Sequence, residues 1–179
     1  MSETSKQHKE HAPKTLNYGI FICSTSRYHQ IEKGEQNVTD LGGDTIANLV
    51  QAAGNTVLFK KIIIDDKSQI TYAFTESIAQ ANLDVIIFSG GTGITPTDVT
   101  IESVSPLLEK TLPGFGEFFR RISFDEIGAA AVLSRAVAGV AGGKAVFCIP
   151  GSPNAVKMAV EKLILPEAPH IVKHAREHR

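Results

Sequence analysis

Leu83-Asp84-Val85-Ile86-Ile87-Phe88 runs directly into Ser89-Gly90-Gly91-Thr92-Gly93 and then into Ile94-Thr95-Pro96-Thr97-Asp98. A short apolar run stopped by glycines predicts a buried strand that ends in a loop. Three glycines around a threonine let successive backbone N–H groups converge without interference from Cβ, and such a nest carries partial positive charge suited to phosphate. Asp98, just beyond it, stands where a magnesium ion could bridge protein and phosphate. The same residues also read as a plain glycine turn between a strand and a helix. What decides between the two is the rest of the chain.

Upstream, Tyr18 to Cys23 predicts a first strand, and the polar stretch from Ser24 to Val38 a surface loop. A helix follows with Ile46, Leu49, Val50 and Ala53 on its apolar face, Asp40 or Asp44 as its cap and Gly54 at its end. Val57 to Ile64 is the second strand. Asp65-Asp66-Lys67-Ser68 ends it, and Ser68 can cap a helix whose core face is Ile70, Ala73, Phe74, Ile78 and Ala81. Strand, helix, strand, helix, strand at this spacing predicts right-handed crossovers and a parallel sheet.

Downstream, Ser105-Pro106 can open another helix, and Glu117 to Ser123 and Asp125 to Leu133 read as two helical pieces broken near Phe124. Ala136 to Val140 and Ala145 to Ile149, joined by Ala141-Gly142-Gly143-Lys144, predict a hairpin. Ile149 then meets Pro150-Gly151-Ser152-Pro153-Asn154, and Val156, Ala159, Val160 and Leu163 mark a final helix. The fold class is α/β, with a mainly parallel central sheet and a short hairpin.

The composition, 179 residues with 42% hydrophobic and 21% charged, predicts one domain over residues 14–179, with residues 1–13 a disordered polar tail. A net charge of -1 excludes a dedicated nucleic-acid binder, which needs a basic excess. The tail lacks the apolar core of a signal peptide, and no stretch is long enough to cross a bilayer. Cys23 and Cys148 lie in apolar runs and read as buried free thiols, in keeping with a reducing cytoplasm. The expected partner is a small molecule.

The polar motifs fall at predicted strand ends. Ser24-Thr25-Ser26-Arg27 follows the first strand, Asp65-Asp66 the second, the glycine loop the third and Pro150-Gly151-Ser152-Pro153-Asn154 a later one. In an open parallel sheet the carboxyl ends share one edge, so motifs scattered in sequence become neighbours in a crevice.

These residues also carry a resemblance. The glycine loop, Asp98-Val99-Thr100, Pro113-Gly114-Phe115-Gly116-Glu117-Phe118-Phe119-Arg120, Leu133-Ser134-Arg135-Ala136-Val137-Ala138-Gly139-Val140 and Pro150-Gly151-Ser152-Pro153-Asn154-Ala155-Val156, in this order, resemble the molybdopterin-binding MoaB/Mog proteins, which are similar to the G domain of gephyrin. The resemblance implies a three-layer α/β sandwich, assembled as a homotrimer or homohexamer. It implies a molybdopterin adenylyltransferase of molybdenum cofactor biosynthesis, with ATP and molybdopterin as substrates and Mg2+ as cofactor. Related domains that only carry the pterin or insert metal, and a non-catalytic scaffold, are the other readings. The retained acids favour an enzyme.

By the resemblance, Asp98 falls at the family's catalytic aspartate and Asp66 at its second acid, both as magnesium ligands. Asp65 is the neighbouring alternative, and Asp66 also reads as a helix-entry carboxylate. Gly90, Gly91, Thr92 and Gly93 would cradle phosphate. Pro150, Gly151, Ser152 and Asn154 would border the pterin or phosphate, though turn chemistry alone also explains Pro-Gly and Ser-Pro. Ser24, Ser26 and Arg27 could complete the pocket wall, or Arg27 could be solvated. Arginines on helices usually pair with nearby acids, so Arg120, Arg121 and Arg135 are assigned no chemistry. Members of the family often carry an acid near Thr25 and an Asp-x-Ser-Gly turn that here reads Asp40-Leu41-Gly42-Gly43. His170, His174 and His178 recur at helical spacing. They could line one face of a C-terminal helix as a zinc site, but without a Cys or acid to complete a known ligand pattern the plainer reading is a polar terminus.

Overall fold

The computed structural model describes residues 13–177; the tail expected at residues 1–13 lies almost wholly outside them. Four strands are parallel: β1 (Asn17–Cys23), β2 (Thr56–Ile63), β3 (Val85–Ser89) and β6 (Lys144–Ile149). β5 (Val137–Ala141) and the two-residue β4 (Lys110–Thr111) add antiparallel pairs, giving a six-stranded sheet of order β2-β1-β3-β6-β5-β4. The β5–β6 connection is the expected hairpin. Gly142 and Gly143 both hold positive φ, +57° and +74°, as its two-residue turn demands.

Alternation along the central strands sorts the core into two clusters. Tyr18, Ile20, Ile22, Ile87, Phe147 and Ile149 face one side, where they meet α2 (Leu41–Ala52), α5 (Pro113–Ile127), α6 (Pro153–Ala159) and α7 (Leu165–Arg176). Phe21, Cys23, Ile86, Phe88, Val146 and Cys148 face the other, against α3 (Lys67–Ala79) and the short α4 (Thr100–Val104). Strands buried on both faces and helices on each make the three-layer α/β sandwich. Among the described residues no helix is long and apolar enough to cross a membrane.

Several elements correct the reading from sequence. The stretch after β1 is not a loop throughout: Thr25–Glu32 forms α1, which buries none of its residues and so carries no apolar period to read. Asp66, not Ser68, caps α3, its Oδ1 accepting from Gln69 N–H at 3.0 Å. That helix ends before Ala81, which is exposed, and its buried face includes Ser77, whose hydroxyl donates to the Ala73 carbonyl. α5 runs unbroken through Phe124 to Ile127, and Gly128, with φ +59°, turns the chain into a 3-10 stretch over Gly128–Leu133. Between α6 and α7 a π turn, Val160–Ile164, keeps the path helical ahead of Pro166.

Candidate active site

β1 leads to β2 on one side of it and, by the next crossover, to β3 on the other, so the order of winding reverses between β1 and β3. Crevices in open α/β sheets form at the carboxyl ends beside such a reversal. Here the glycine loop leaves β3 and rests on its neighbours. Gly90 N–H donates to the Ile149 carbonyl at 3.0 Å, and Gly90 takes φ +100°, a conformation in which any Cβ would come within 2.4 Å of the Cys23 carbonyl oxygen. A Cβ on Gly151 would stand 3.3 Å from Gly90 Cα, and one on Gly42 would stand 2.7 Å from the Gly151 carbonyl oxygen. Backbone is thus packed on backbone from the start of α2, through the 150 loop, to the end of β1.

Gly91, at φ +59°, brings in the second strand's loop. A Cβ there would lie 1.9 Å from Asp65 Oδ1 and 2.5 Å from Thr100 Oγ1, two buried oxygens that have no hydrogen-bond partner. Thr100 N–H donates to the Gly91 carbonyl at 3.0 Å, and Asp65 N–H donates to Thr25 Oγ1 at 3.1 Å. Asp98 closes its own turn, accepting from Thr95 N–H at 2.9 Å and Thr95 Oγ1 at 2.7 Å, while its carboxylate lies against Gly93. The two acids are tuned apart. Burial raises the Asp65 pKa, and the Asp98 charge adds to it. The Thr95 hydroxyl lowers that of Asp98 against a smaller desolvation, with backbone N–H groups and Arg135 assisting.

Gly91, Thr92, Gly93, Asp98, Pro150 and Gly151 line a common cleft of about 290 Å³, with Arg135 on its wall. Arg135 Nε donates to the Thr92 carbonyl at 2.9 Å, and its two terminal nitrogens grip Glu102 at 2.7 and 3.0 Å. Sequence reasoning gave this arginine no role, although it stands inside one of the resembling motifs.

Other candidates are placed differently from their expectation. Asp66 is spent on the α3 cap, and of the two neighbouring acids it is Asp65 that faces the glycine loop. Ser152 and Asn154 are exposed, and Asn154 opens on a separate cleft with Glu126 and Lys157. The expected convergence of Asn154 with Asp98 is not made, because α6 begins at Pro153 and carries Asn154 away from the loop. Ser24 is nearly buried, 3.3 Å from both Ser26 Oγ and an Arg27 guanidinium nitrogen, and Arg27 Nε donates to the Thr39 carbonyl. Arg27 therefore ties α1 to the approach of α2. The thiols are not nucleophiles: burial pushes Cys23 up to about 12 and raises Cys148 as well.

A family described as a probable molybdopterin binding domain matches residues 19–170. The chain belongs to that family. Among relatives of this molybdopterin binding domain, the molybdenum cofactor biosynthesis protein B of Halalkalibacterium halodurans is 42% identical over 175 residues, covering 97% of this chain and 98% of the relative. The molybdopterin adenylyltransferase of Pyrococcus furiosus is 43% identical over 176 residues, covering 96% and 98%. The crystal structure of the tungsten cofactor synthesizing protein MoaB from Pyrococcus furiosus superposes with a TM-score of 0.79 at 42% identity, over 93% of this chain and all of that one.

Proposed function

We propose that this chain is a molybdopterin adenylyltransferase, transferring AMP from ATP to the terminal phosphate of molybdopterin and releasing pyrophosphate. The observation that carries the reading is the pair of carboxylates, Asp65 and Asp98, set on either side of a glycine loop whose φ angles at Gly90 and Gly91 are +100° and +59°. A phosphate-binding nest flanked by two acids suits a reaction between two polyanions. The curated relative named molybdopterin adenylyltransferase, matched over nearly its full length, supports the same choice.

In the reaction an oxygen of the pterin's terminal phosphate attacks the α-phosphorus of ATP. A new P–O bond forms as the bond to the bridging oxygen of the β-phosphate breaks, and pyrophosphate leaves with those electrons. The obstacle is repulsion between the two anions. Backbone N–H groups of Gly91, Thr92 and Gly93, beyond the Gly90 N–H that is bonded to Ile149, would receive phosphate oxygens, and a preformed cradle of that kind lowers the barrier by positioning and electrostatics. The orphaned Asp65 Oδ1, with Asp98 close enough to raise its pKa, fits a divalent cation: two carboxylates that repel in the bare site both gain when one is present. Asp65 and Asp98 would hold Mg2+ with the substrate phosphates, and the ion would supply charge neutralisation for both reactants. Arg135, tied to Glu102, fixes the Thr92 carbonyl and so the shape of the loop.

The chain works in a reducing cytoplasm, where its buried thiols stay free, and it assembles as a homotrimer or homohexamer. The test is to incubate the purified protein with molybdopterin, ATP and magnesium. Adenylylated pterin and an equivalent of pyrophosphate are expected, both dependent on added magnesium. Tight binding of the pterin with neither product would instead make the protein a carrier.

A further inference from the structure

Among the described residues that line the cleft beside the glycine loop, Arg135 carries the one positive charge. Its guanidinium is held at two points. Nε donates to the Thr92 carbonyl at 2.9 Å, which ties it to the backbone of the nest itself, and the two terminal nitrogens donate to Glu102 at 2.7 and 3.0 Å. Those bonds use three of the five N–H groups of an arginine and leave one on each terminal nitrogen. The side chain is 33% exposed on the cleft wall, so that remaining pair is within reach of a ligand. A planar fork fixed in this way suits phosphate oxygens. Its place along the loop is also set: Asp65 abuts Gly91, Asp98 abuts Gly93, and Arg135 holds Thr92 between them.

The chemistry of the transfer decides which phosphate it meets. As an oxygen of the pterin's terminal phosphate bonds to the α-phosphorus, the bond from that phosphorus to the bridging oxygen breaks, and the electron pair stays on the bridging oxygen of departing pyrophosphate. Negative charge therefore falls on the attacking oxygen and grows on the leaving one. A permanent cation bonded to the attacking phosphate would weaken the nucleophile, whereas the same cation on the leaving group gains strength as the reaction proceeds. We propose that Arg135 is a catalytic residue that binds the β- and γ-phosphates of ATP through its two terminal nitrogens and takes up the charge of the departing pyrophosphate, with Glu102 holding the guanidinium plane in position. This assignment rests on the adenylyltransferase reading above. An exposed ion pair adds little to stability, so the two-point grip of Glu102 on Arg135 has its value in orientation.

The experiment titrates inorganic pyrophosphate, AMP and molybdopterin, each with magnesium, into the wild type and Arg135 variants by calorimetry, and measures adenylylation on the same preparations. Arg135→Gln should weaken pyrophosphate by about tenfold or more and leave AMP and molybdopterin within about twofold, the loss expected of a charge-assisted hydrogen bond made to one ligand only. Its kcat should fall by roughly 10²-fold or more. Arg135→Lys, which keeps the charge without the fork, should recover part of the pyrophosphate affinity. In the wild type, pyrophosphate should shield Arg135 from modification by phenylglyoxal, a readout that needs no variant to fold. Equal losses for AMP and pyrophosphate would make Arg135 a pin of the loop and overturn the proposal, as would a loss confined to molybdopterin or an absence of shielding. A wild type that forms no adenylylated pterin overturns the transferase reading instead; one that forms it while Arg135→Gln keeps its pyrophosphate affinity overturns only the role given to Arg135.

Discussion

At the residue scale, the acids of the rim differ in what they do for the fold. Asp98 is partly exposed and accepts from the Thr95 N–H and hydroxyl. Asp98→Asn keeps one acceptor for that turn while removing the negative charge. Thermal unfolding is therefore expected to stay near wild type while turnover in the adenylylation assay falls by roughly 10²-fold or more, the scale of losing one electrostatic contact to the transition state. Asp65 is different, because burial and the Asp98 charge raise its pKa above the unfolded value. A carboxyl raised on folding favours the folded state when protonated and loses that contribution as pH rises through the folded pKa. Asp65→Asn should accordingly raise Tm at pH 7 in the absence of magnesium, with the gain vanishing as pH falls below the ordinary carboxylate value of about 4. Melting curves across that range check the sign; a gain that grew toward acid would show that Asp65 is stabilised as an anion.

At the scale of elements, the joints matter as much as the lengths. α7 is tied to the sheet by Arg176, whose Nε donates to the Gly143 carbonyl at 3.0 Å and whose NH2 group reaches Asp84 Oδ1 at 2.6 Å. Asp84 in turn accepts from Asn17 N–H at 2.7 Å, so one arginine links the end of the last helix, the hairpin turn and the start of β1. Arg176→Ala should cost about 1 kcal/mol, since Asp84 keeps its backbone partner and the arginine is partly exposed. Denaturant titration reads that loss, and hydrogen exchange should place it in the last turns of α7. Lys144 works similarly from inside, its ammonium buried and donating to the Gln80 and Leu83 carbonyls just past α3. α1 is the element least legible in the sequence: eight residues that bury nothing leave no pattern. Helices with a buried stripe, α2 and α3, were legible from their periodicity, although the cap of α3 fell two residues before Ser68.

At the scale of the whole molecule, one surface stands out. Phe124 and Ile127, one turn apart near the end of α5, are 57 and 54% exposed, and Val132 and Leu133 of the 3-10 stretch after it are 78 and 59% exposed. A run of large apolar side chains left open to water is characteristic of an association surface. A second copy of this chain is its expected occupant, in line with the trimer or hexamer implied by the family resemblance. Light scattering on the purified protein should give three or six times the 19.2 kDa chain mass. Phe124→Asp with Ile127→Asp should reduce that to one while leaving the sheet intact, and an unchanged mass in the double variant would remove this face from the assembly.

Sequence by itself determined the layers and the rim. The apolar runs ending at Cys23, Phe88 and Ile149, the helical periods between them and the polar residues at each strand end follow from local pattern, because burial on both faces of a parallel sheet writes itself into consecutive residues. Tertiary structure alone decided which of those rim residues meet. Asp65 and Asp66 are indistinguishable to a pattern, yet one residue of rotation along the chain turns the first against Gly91 and the second onto Gln69 N–H. Asn154 shares a motif with Gly151 but leaves the cleft with α6, and Arg135 enters it from 43 residues beyond Thr92. The physical reason is that direction in space is set by how strands, caps and backbone contacts pack together, and that information is spread over residues far apart in the chain.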